Sequence, residues 1–340
     1  MIKIGLIGGG RMGSVHAEVL TKMTRANDSV MLTAVADGIQ ETASRLAEQT
    51  GVKKIYTSID DMLEDSNVEA VFVATPTYTH YELVKKILQK GRHCLCEKPL
   101  TLDLKSSREL TKIAEEKGVI LQIAFMRRFD PEITIAKQSI ERGEIGTPLL
   151  YKACHRDQSP PPAGFCDPKK SGGIMIDNTI HEFDMGRYLF EDEVEEVYAQ
   201  PGIVVDEQLG KTGDLDNAVM QLRFFKGGMG QIDTTRNSKF GEDIRFEILG
   251  SEGNIFWGRL PMRGLIVATE RGAGIPTDLE SPDRFFPAFA GQIRVFSQAV
   301  EQGVNLGPTG EDSAKALAVG LAAYRSLELG RPVKVSEVKE

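Results

Sequence analysis

The chain has 340 residues, 41% hydrophobic and 26% charged, with 41 Lys and Arg against 49 Asp and Glu for a net charge of −8. That balance describes a globular chain long enough for two domains, and its acidic sign, with basic residues only in scattered pairs such as Lys85-Lys86 and Arg127-Arg128, argues against nucleic acid as a partner. No apolar run approaches the roughly 20 residues that span a bilayer, and MIKIGLIGGGRMG is too short and Gly-rich for a signal peptide, so a cytoplasmic protein with no membrane partner is expected.

An alternating apolar run from Ile2 to Ile7 breaks at Gly8, Gly10 and Gly13 and passes into a helical pattern through Val15, Val19 and Leu20. Strand, glycine turn and helix predict a dinucleotide cradle. Gly8 permits the turn, Gly10 lets the backbone approach a pyrophosphate, and Gly13 lets the helix close on the strand, while the helix start at Arg11 and Met12 turns its amides to the anion. The glycines alone are weak evidence; the strand VMLTAVAD, ending in Asp37 24 residues after Gly13, supplies the context that strengthens them. Asp37 would bond the ribose hydroxyls and repel a 2′-phosphate, and Gly38 and Ile39 bring no cation, which predicts NAD rather than NADP.

Helices and strands continue to alternate: helix IQETASRLAEQTG, a short strand near Ile55-Tyr56, helix SIDDMLED with Ser58 and Asp61 spaced as a capping box, and the apolar strand VEAVFVAT. YELVKKILQKG, HCLCEK, LKSSRELTKIAEEKG and VILQIAF complete an expected N-terminal Rossmann domain, residues 1–123, with a doubly wound parallel sheet. Ligand lies beyond the strand C-termini in such sheets, where ATPTYTH, with Thr75, Pro76 and His80, and EKPL, with Glu97 and Lys98, both fall. The strand around Cys94-Leu-Cys96 is read as turning its thiols to opposite faces, and with Cys154 and Cys166 these cysteines are expected to be reduced rather than paired.

Residues 124–340 are expected to form a second α/β domain with a large open, mostly antiparallel sheet. Helix PEITIAKQSIERGEIG leads into strand LLYKACHRD and the turn-rich QSPPPAGFCDPKKSGG. Strand-like runs then fold at Lys226-Gly227-Gly228 and Ser251-Glu252-Gly253, and helices near 285–302 and 311–329 close the chain. Between them, SGGIMIDNTIHEFDMGRYLF sets Asp177, His181 and Asp184 four and then three residues apart, so on a helix they would share one face. Three uses remain open on the residues alone: a metal, proton chemistry, or an ordinary helix start capped by Asp177. No third and fourth ligand stands at a recognisable spacing, so no metal is expected.

With the glycine fingerprint at Gly8 to Gly13, EKP at Glu97 to Pro99 and GGIMIDNTIHEFD at Gly172 to Asp184, the chain resembles the glucose-fructose oxidoreductase / inositol dehydrogenase / MocA family over nearly its whole length. AFMRRFD, HRDQSPPP and VVDEQLGKTGDLDNAVMQLRF resemble its inositol dehydrogenase branch. The resemblance implies a catalytic group of Lys98, Asp177 and His181, with Met126, Arg127 and His155 joining Asp177 and His181 against a polyol, and with Thr75, Pro76, His80, Glu97 and Lys98 along the NAD. It further implies oxidation of a cyclic polyol, myo-inositol to 2-keto-myo-inositol first, and a homo-oligomer, a tetramer or dimer associating through the C-terminal sheet. Scyllo- or chiro-inositol, a pyranose such as glucose or levoglucosan, and a non-catalytic NAD-binding regulator are the alternatives. Asp184 is expected to be structural. The segment KFGEDIR, with Phe240 and Glu242, and Phe165 depart from the tyrosines frequent in inositol-type relatives, which leaves the choice of polyol open.

Overall fold

A computed structural model describes residues 1–161, 167–202, 204–258, 267–269, 272–274 and 282–339; Phe165 and Cys166 lie outside the described residues. The chain divides into two compact units, one of residues 1–130 and 285–317, the other of 131–284 and 318–339.

In the first unit, strands β1 (Ile2–Ile7), β2 (Val30–Ala36), β3 (Lys54–Tyr56), β4 (Ala70–Val73), β5 (His93–Cys96) and β6 (Leu121–Ile123) make a six-stranded sheet in the order β3-β2-β1-β4-β5-β6. Every neighbouring pair is parallel, and the order reverses between β1 and β4, where a doubly wound sheet binds its ligand. All four residues of β4 are buried, the mark of a strand covered on both faces. Around the sheet run α1 (Arg11–Arg25), α2 (Gln40–Thr50), α3 (Ile59–Glu64), α4 (His80–Gln89) and α5 (Leu104–Lys117). Ser58 caps α3 by accepting from the Asp61 N–H, as the spacing predicts, and Asp103 caps α5 through the Ser106 N–H.

The expected cut near residue 123 misses the return of the chain to this unit. Helix Phe286–Gln302 buries Ala288, Phe289, Ile293 and Phe296, sets Phe289 edge-on to His16 at 5.3 Å, and accepts a hydrogen bond from Gln122 at the Gln292 carbonyl, 3.0 Å. Arg294 pairs with Asp28 at 2.7 Å. An amphipathic period announces such a helix but not the surface it will cover.

The two cysteines of β5 are a correction. Residues two apart on a strand share a face, and Cys94 and Cys96 are both fully buried, where desolvation pushes both thiols up. They, and the buried Cys154, are free thiols.

In the second unit, β7 (Pro148–Arg156), β8 (Val194–Pro201), β9 (Asn217–Phe224), β10 (Met229–Thr235), β11 (Asp243–Gly250) and β12 (Asn254–Trp257) join the short strand Val333–Lys334 in a seven-stranded sheet. The order is β12-β11-β7-β10-β9-β8 followed by Val333–Lys334, antiparallel except for β10 against β7. The hairpins turn at the two predicted places, between β9 and β10 and between β11 and β12. Helix α6 (Pro131–Glu141) opens this unit, the single turn α7 (Pro168–Ser171) follows, and α8 (Ile180–Phe190) lies on one face of the sheet, close enough that a Cβ on Gly186 would stand 3.3 Å from Tyr151 and 3.4 Å from Phe224. Among the described residues no helix is long and apolar enough to cross a membrane.

The first unit's turn depends on backbone touching backbone. A Cβ at Gly13 would stand 1.9 Å from the Gly8 carbonyl oxygen, and Gly8 itself has φ +104° with the Ala74 carbonyl oxygen 2.4 Å from its would-be Cβ. Gly13→Ala therefore forces β1 and α1 apart and is expected to destabilise the protein by about 1–3 kcal/mol, read as a lower urea midpoint; an unchanged midpoint would show that the turn tolerates the methyl.

Candidate active site

The first unit's site residues gather at the C-terminal ends of β1, β2, β4 and β5. No side chain caps the start of α1, whose N-cap is Gly10, so its first amides remain for a ligand. A Cβ on Gly10 would meet no protein atom within 4 Å, so the fold itself does not demand glycine there and a close-lying ligand would. Arg11 is exposed and Met12 half-buried beside it. This geometry fits a dinucleotide pyrophosphate. Asp37, at the end of β2, accepts the N–H of Gly9 at 2.8 Å and of Ile39 at 2.9 Å. Gly38 and Ile39 bring no cation, as read from the sequence, but Arg45, one helical turn into α2, donates to the Gly9 carbonyl at 2.8 Å.

After β4, Thr75 and Pro76 are half-buried and are tied together through Thr79, whose hydroxyl bonds both the Thr75 hydroxyl and the Pro76 carbonyl at 2.7 Å. His80 is fully buried, with Nδ1 2.8 Å from the Pro99 carbonyl and Nε2 2.9 Å from the Thr75 carbonyl. It thus ties the loop after β4 to the loop after β5 from behind. Burial depresses the basicity of this imidazole against the pull of the two carbonyls, and in the neutral form only one of them receives a proton.

After β5, Glu97 is likewise turned inward. One carboxylate oxygen lies 2.6 Å from Nε2 of the buried His16 on α1, and the other accepts the Lys98 N–H at 3.1 Å. Burial works to raise this carboxyl, but the His16 hydrogen bond and the electrostatic pull of the neighbouring His16 and Lys98 hold it below the usual range. His16, whose ring lies tilted against that of Phe72 with centroids 4.2 Å apart, is a partner of Glu97 that the glycine motif did not reveal. Lys98 is half-buried and joined to Pro99 by a cis peptide, while Met126 and Arg127, on a short helical turn after β6, are buried.

The second unit carries Asp177 and His181, though not as two positions of one α-helix. Residues Ile174–Asn178 form a π-helical turn, closed by the Thr179 N–H on the Ile174 carbonyl at 2.9 Å, and α8 begins only at Ile180. The N-cap position of α8 is taken by Thr179 rather than Asp177. The Gly-Gly pair before the turn has two separate causes: Gly172 ends α7 at φ +88°, and Gly173, at φ +66°, leaves room for the Tyr324 hydroxyl and an Asp214 oxygen that would stand 2.1 and 2.6 Å from a Cβ. Asp214 then accepts the Ile174 N–H at 3.0 Å and the Tyr324 hydroxyl at 3.3 Å, and that hydroxyl accepts the Met175 N–H at 3.3 Å. Burial, reinforced by the Asp214 charge, pushes the Tyr324 phenol up and keeps it a donor.

From Ser171 to Arg187 every residue is buried except Asp177 and His181. Asp177 pairs with the buried Arg236 at 3.1 Å, and the His181 ring lies 6.1 Å from that of His155. His155, on β7, is itself held between Glu182 at 3.3 Å and Asp157 at 3.4 Å, with Tyr151 donating to the other Glu182 oxygen at 3.1 Å. Asp184 is buried and 3.8 Å from Arg187, the structural place expected of it. Arg236, Asp214, Glu182 and Tyr324 were not singled out from the sequence, because each meets its partner from a distant part of the chain. Among the described residues no group of three or more His, Cys, Asp or Glu is arranged to hold a metal ion.

Residues 2–125 match the profile of an oxidoreductase family with an NAD-binding Rossmann fold, and residues 133–256 match a GFO/IDH/MocA C-terminal domain. The chain is 38% identical over 338 residues, 99% of either protein, to the myo-inositol 2-dehydrogenase of Thermotoga maritima. It is 35% identical to the scyllo-inositol 2-dehydrogenase (NAD(+)) of Bacillus subtilis, covering 98% of this chain and 96% of that one. Among solved structures it is similar to the scyllo-inositol dehydrogenase of Lactobacillus casei with bound cofactor NAD(H) and scyllo-inositol, with a TM-score of 0.89, 27% identity and 99% of each chain covered.

Gly10 and Gly13 separate binding from folding. Gly10 has φ −71°, open to any residue, so Gly10→Ala is expected to keep the thermal midpoint of the parent while weakening NAD about tenfold or more, roughly 1.4 kcal/mol. Calorimetric titration with NAD measures the second quantity, and unaltered affinity would move the pyrophosphate away from this turn.

Proposed function

The chain belongs to the GFO/IDH/MocA oxidoreductase family, and from that membership we propose that it is an NAD-dependent dehydrogenase that oxidises one secondary alcohol of a cyclic polyol to a ketone, with myo-inositol giving 2-keto-myo-inositol as the leading substrate. The observation that carries this reading is the pairing of Asp177 and His181 as the two partly exposed groups of an otherwise buried segment. A chain that buries all their neighbours and leaves an imidazole and a carboxylate accessible has set them aside for a ligand.

When bound, NAD supplies the acceptor for the hydride that leaves the carbinol carbon. The residues have the remaining tasks. His181, with an imidazole whose unperturbed pKa of about 6.5 suits neutral pH, takes the hydroxyl proton, worth on the order of a hundredfold to ten-thousandfold in rate. Asp177 holds a neighbouring hydroxyl or the imidazole in register. Lys98 places its ammonium beside the oxygen as negative charge grows there. Met126, Arg127 and His155 line the polyol. Thr75 and Pro76 border the cofactor, with His80 and Glu97 fixing those loops from below, and Asp37 reads the ribose and turns away a 2′-phosphate.

The protein is further proposed to be cytoplasmic and to form a homo-oligomer through the outer face of its seven-stranded sheet. Support for the latter is that this face exposes Val219, Met229, Leu249 and Phe256, an apolar surface of the kind that subunits cover.

The decisive measurement is the initial rate of NADH formation with myo-, scyllo- and chiro-inositol, glucose, xylose and levoglucosan, run with NAD and with NADP. The expected outcome is fastest turnover of myo-inositol with NAD; a higher rate on another polyol reassigns the substrate, and equal rates with NADP remove Asp37 from cofactor choice. Lys98→Met should bind NAD normally yet lose roughly a hundredfold or more in kcat, whereas near-parent turnover takes Lys98 out of the mechanism. Sedimentation is expected to give a dimer or tetramer, and a lone monomeric species refutes the association.

A further inference from the structure

Arg236 is buried immediately after β10, its backbone pinned by an N–H bond to the Asp216 carbonyl at 2.8 Å. Its guanidinium forks: one terminal nitrogen donates to Asp214 at 3.0 Å and the other to Asp177 at 3.1 Å. The two carboxylates differ in kind. Asp214 is wholly enclosed and its remaining oxygen is met by the Ile174 N–H and the Tyr324 hydroxyl, whereas the Asp177 side chain is 29% exposed.

Asp214 answers the charge of the buried arginine. The second arm gives partners to guanidinium N–H groups that water does not reach, and it ends on a carboxylate that is partly exposed. It also fixes geometry. The guanidinium is planar, so anchoring one arm on Asp214 determines where the other arm points. The direction of the Asp177 carboxylate is thereby tied through Arg236 to Asp214 and Tyr324, one on the segment before β9 and the other on the C-terminal helix.

Resting on the reading of Asp177 as a group that meets substrate, we propose that Arg236 is a positioning residue for the oxidation: anchored on Asp214, it sets the orientation in which Asp177 is presented to the polyol. A reacting hydroxyl held in one geometry reacts faster than one that must find it. In this role Arg236 acts through Asp177. A lysine at this position keeps the charge and loses the fork.

The test is a double-mutant cycle on the full-length protein with Arg236→Lys, Asp177→Asn and the two combined, using the polyol turned over fastest by the parent and recording kcat, KM, NAD affinity and thermal midpoint. Arg236→Lys is expected to lower kcat ten- to a hundredfold while leaving NAD affinity within about twofold. The combined variant is expected to be no more than about twofold slower than Asp177→Asn alone, because two residues acting through one group do not add. Should Arg236→Lys fail to fold, Arg236→Met with Asp214→Asn removes the buried pair together and takes its place in the cycle. Parent-like kcat in the Arg236 variant, or losses that multiply in the combination, would overturn the proposal while leaving Asp177 in the mechanism. Parent-like kcat in Asp177→Asn, or a parent protein silent on every polyol, would overturn the reading on which it rests and the proposal with it.

Discussion

A carboxylate taken out of water has to be met by donors from wherever the chain can bring them, and each unit arranges its functional segment around one such group. In the first it is Glu97, met by His16 from 81 residues earlier and by the next N–H along the chain. In the second it is Asp214, met by Arg236, by the Ile174 N–H and by Tyr324 110 residues later. The loop that carries Lys98 and the turn that carries Asp177 are irregular backbone. What holds them is the need to answer these charges, which removing a donor would leave unpaired in a place that water does not reach.

The same requirement explains why Asp177 is found on a π-helical turn. That turn admits one more residue than an α-helical one and re-aims the side chains along it. The backbone groups at its start are held by Asp214 and Tyr324, and Gly173 is the only residue small enough to let those two approach. Asn178 next to it is tied to Asp157 and to Thr234. Asp177 is thus left half-exposed between two anchored neighbours, and His181 follows on the first turn of α8, whose inner face is pressed on Tyr151 and Phe224.

Much of this was legible where the signal is local. The alternation of strands and helices, the glycine turn followed by Asp37, the Ser58 cap and the two glycine hairpins each lie within a few residues of one another, and each formed as the pattern predicts. Helix Phe286–Gln302 was legible as a helix but not as part of the first unit, since its apolar stripe would suit either sheet. The spacing of Asp177, His181 and Asp184 suits one helix face, but spacing alone does not distinguish an α-turn from a π-turn; the difference lies in Asp214 and Tyr324. Asp184 shows the converse. It stands on the right spacing to join Asp177 and His181, yet burial beside Arg187 gives it a structural place. Arg236 and His16 were missed for one reason: an arginine after a strand and a histidine in a helix are unremarkable until the chain has folded them onto their carboxylates.

Cofactor choice shows how a structural bond and a recognition role can occupy one side chain. Asp37 closes the glycine turn through the Gly9 and Ile39 amides, so its orientation is fixed before any ribose arrives. Arg45 donates to the Gly9 carbonyl, which places a cation at the same turn. The NAD preference proposed above therefore places its weight on the Asp37 carboxylate, whose charge opposes a 2′-phosphate and whose oxygens both accept from the backbone. Replacing it with a neutral residue would relieve the repulsion but also release the two amides that shape the turn, so selectivity for the cofactor and rigidity of its cradle are properties of one carboxylate and change together.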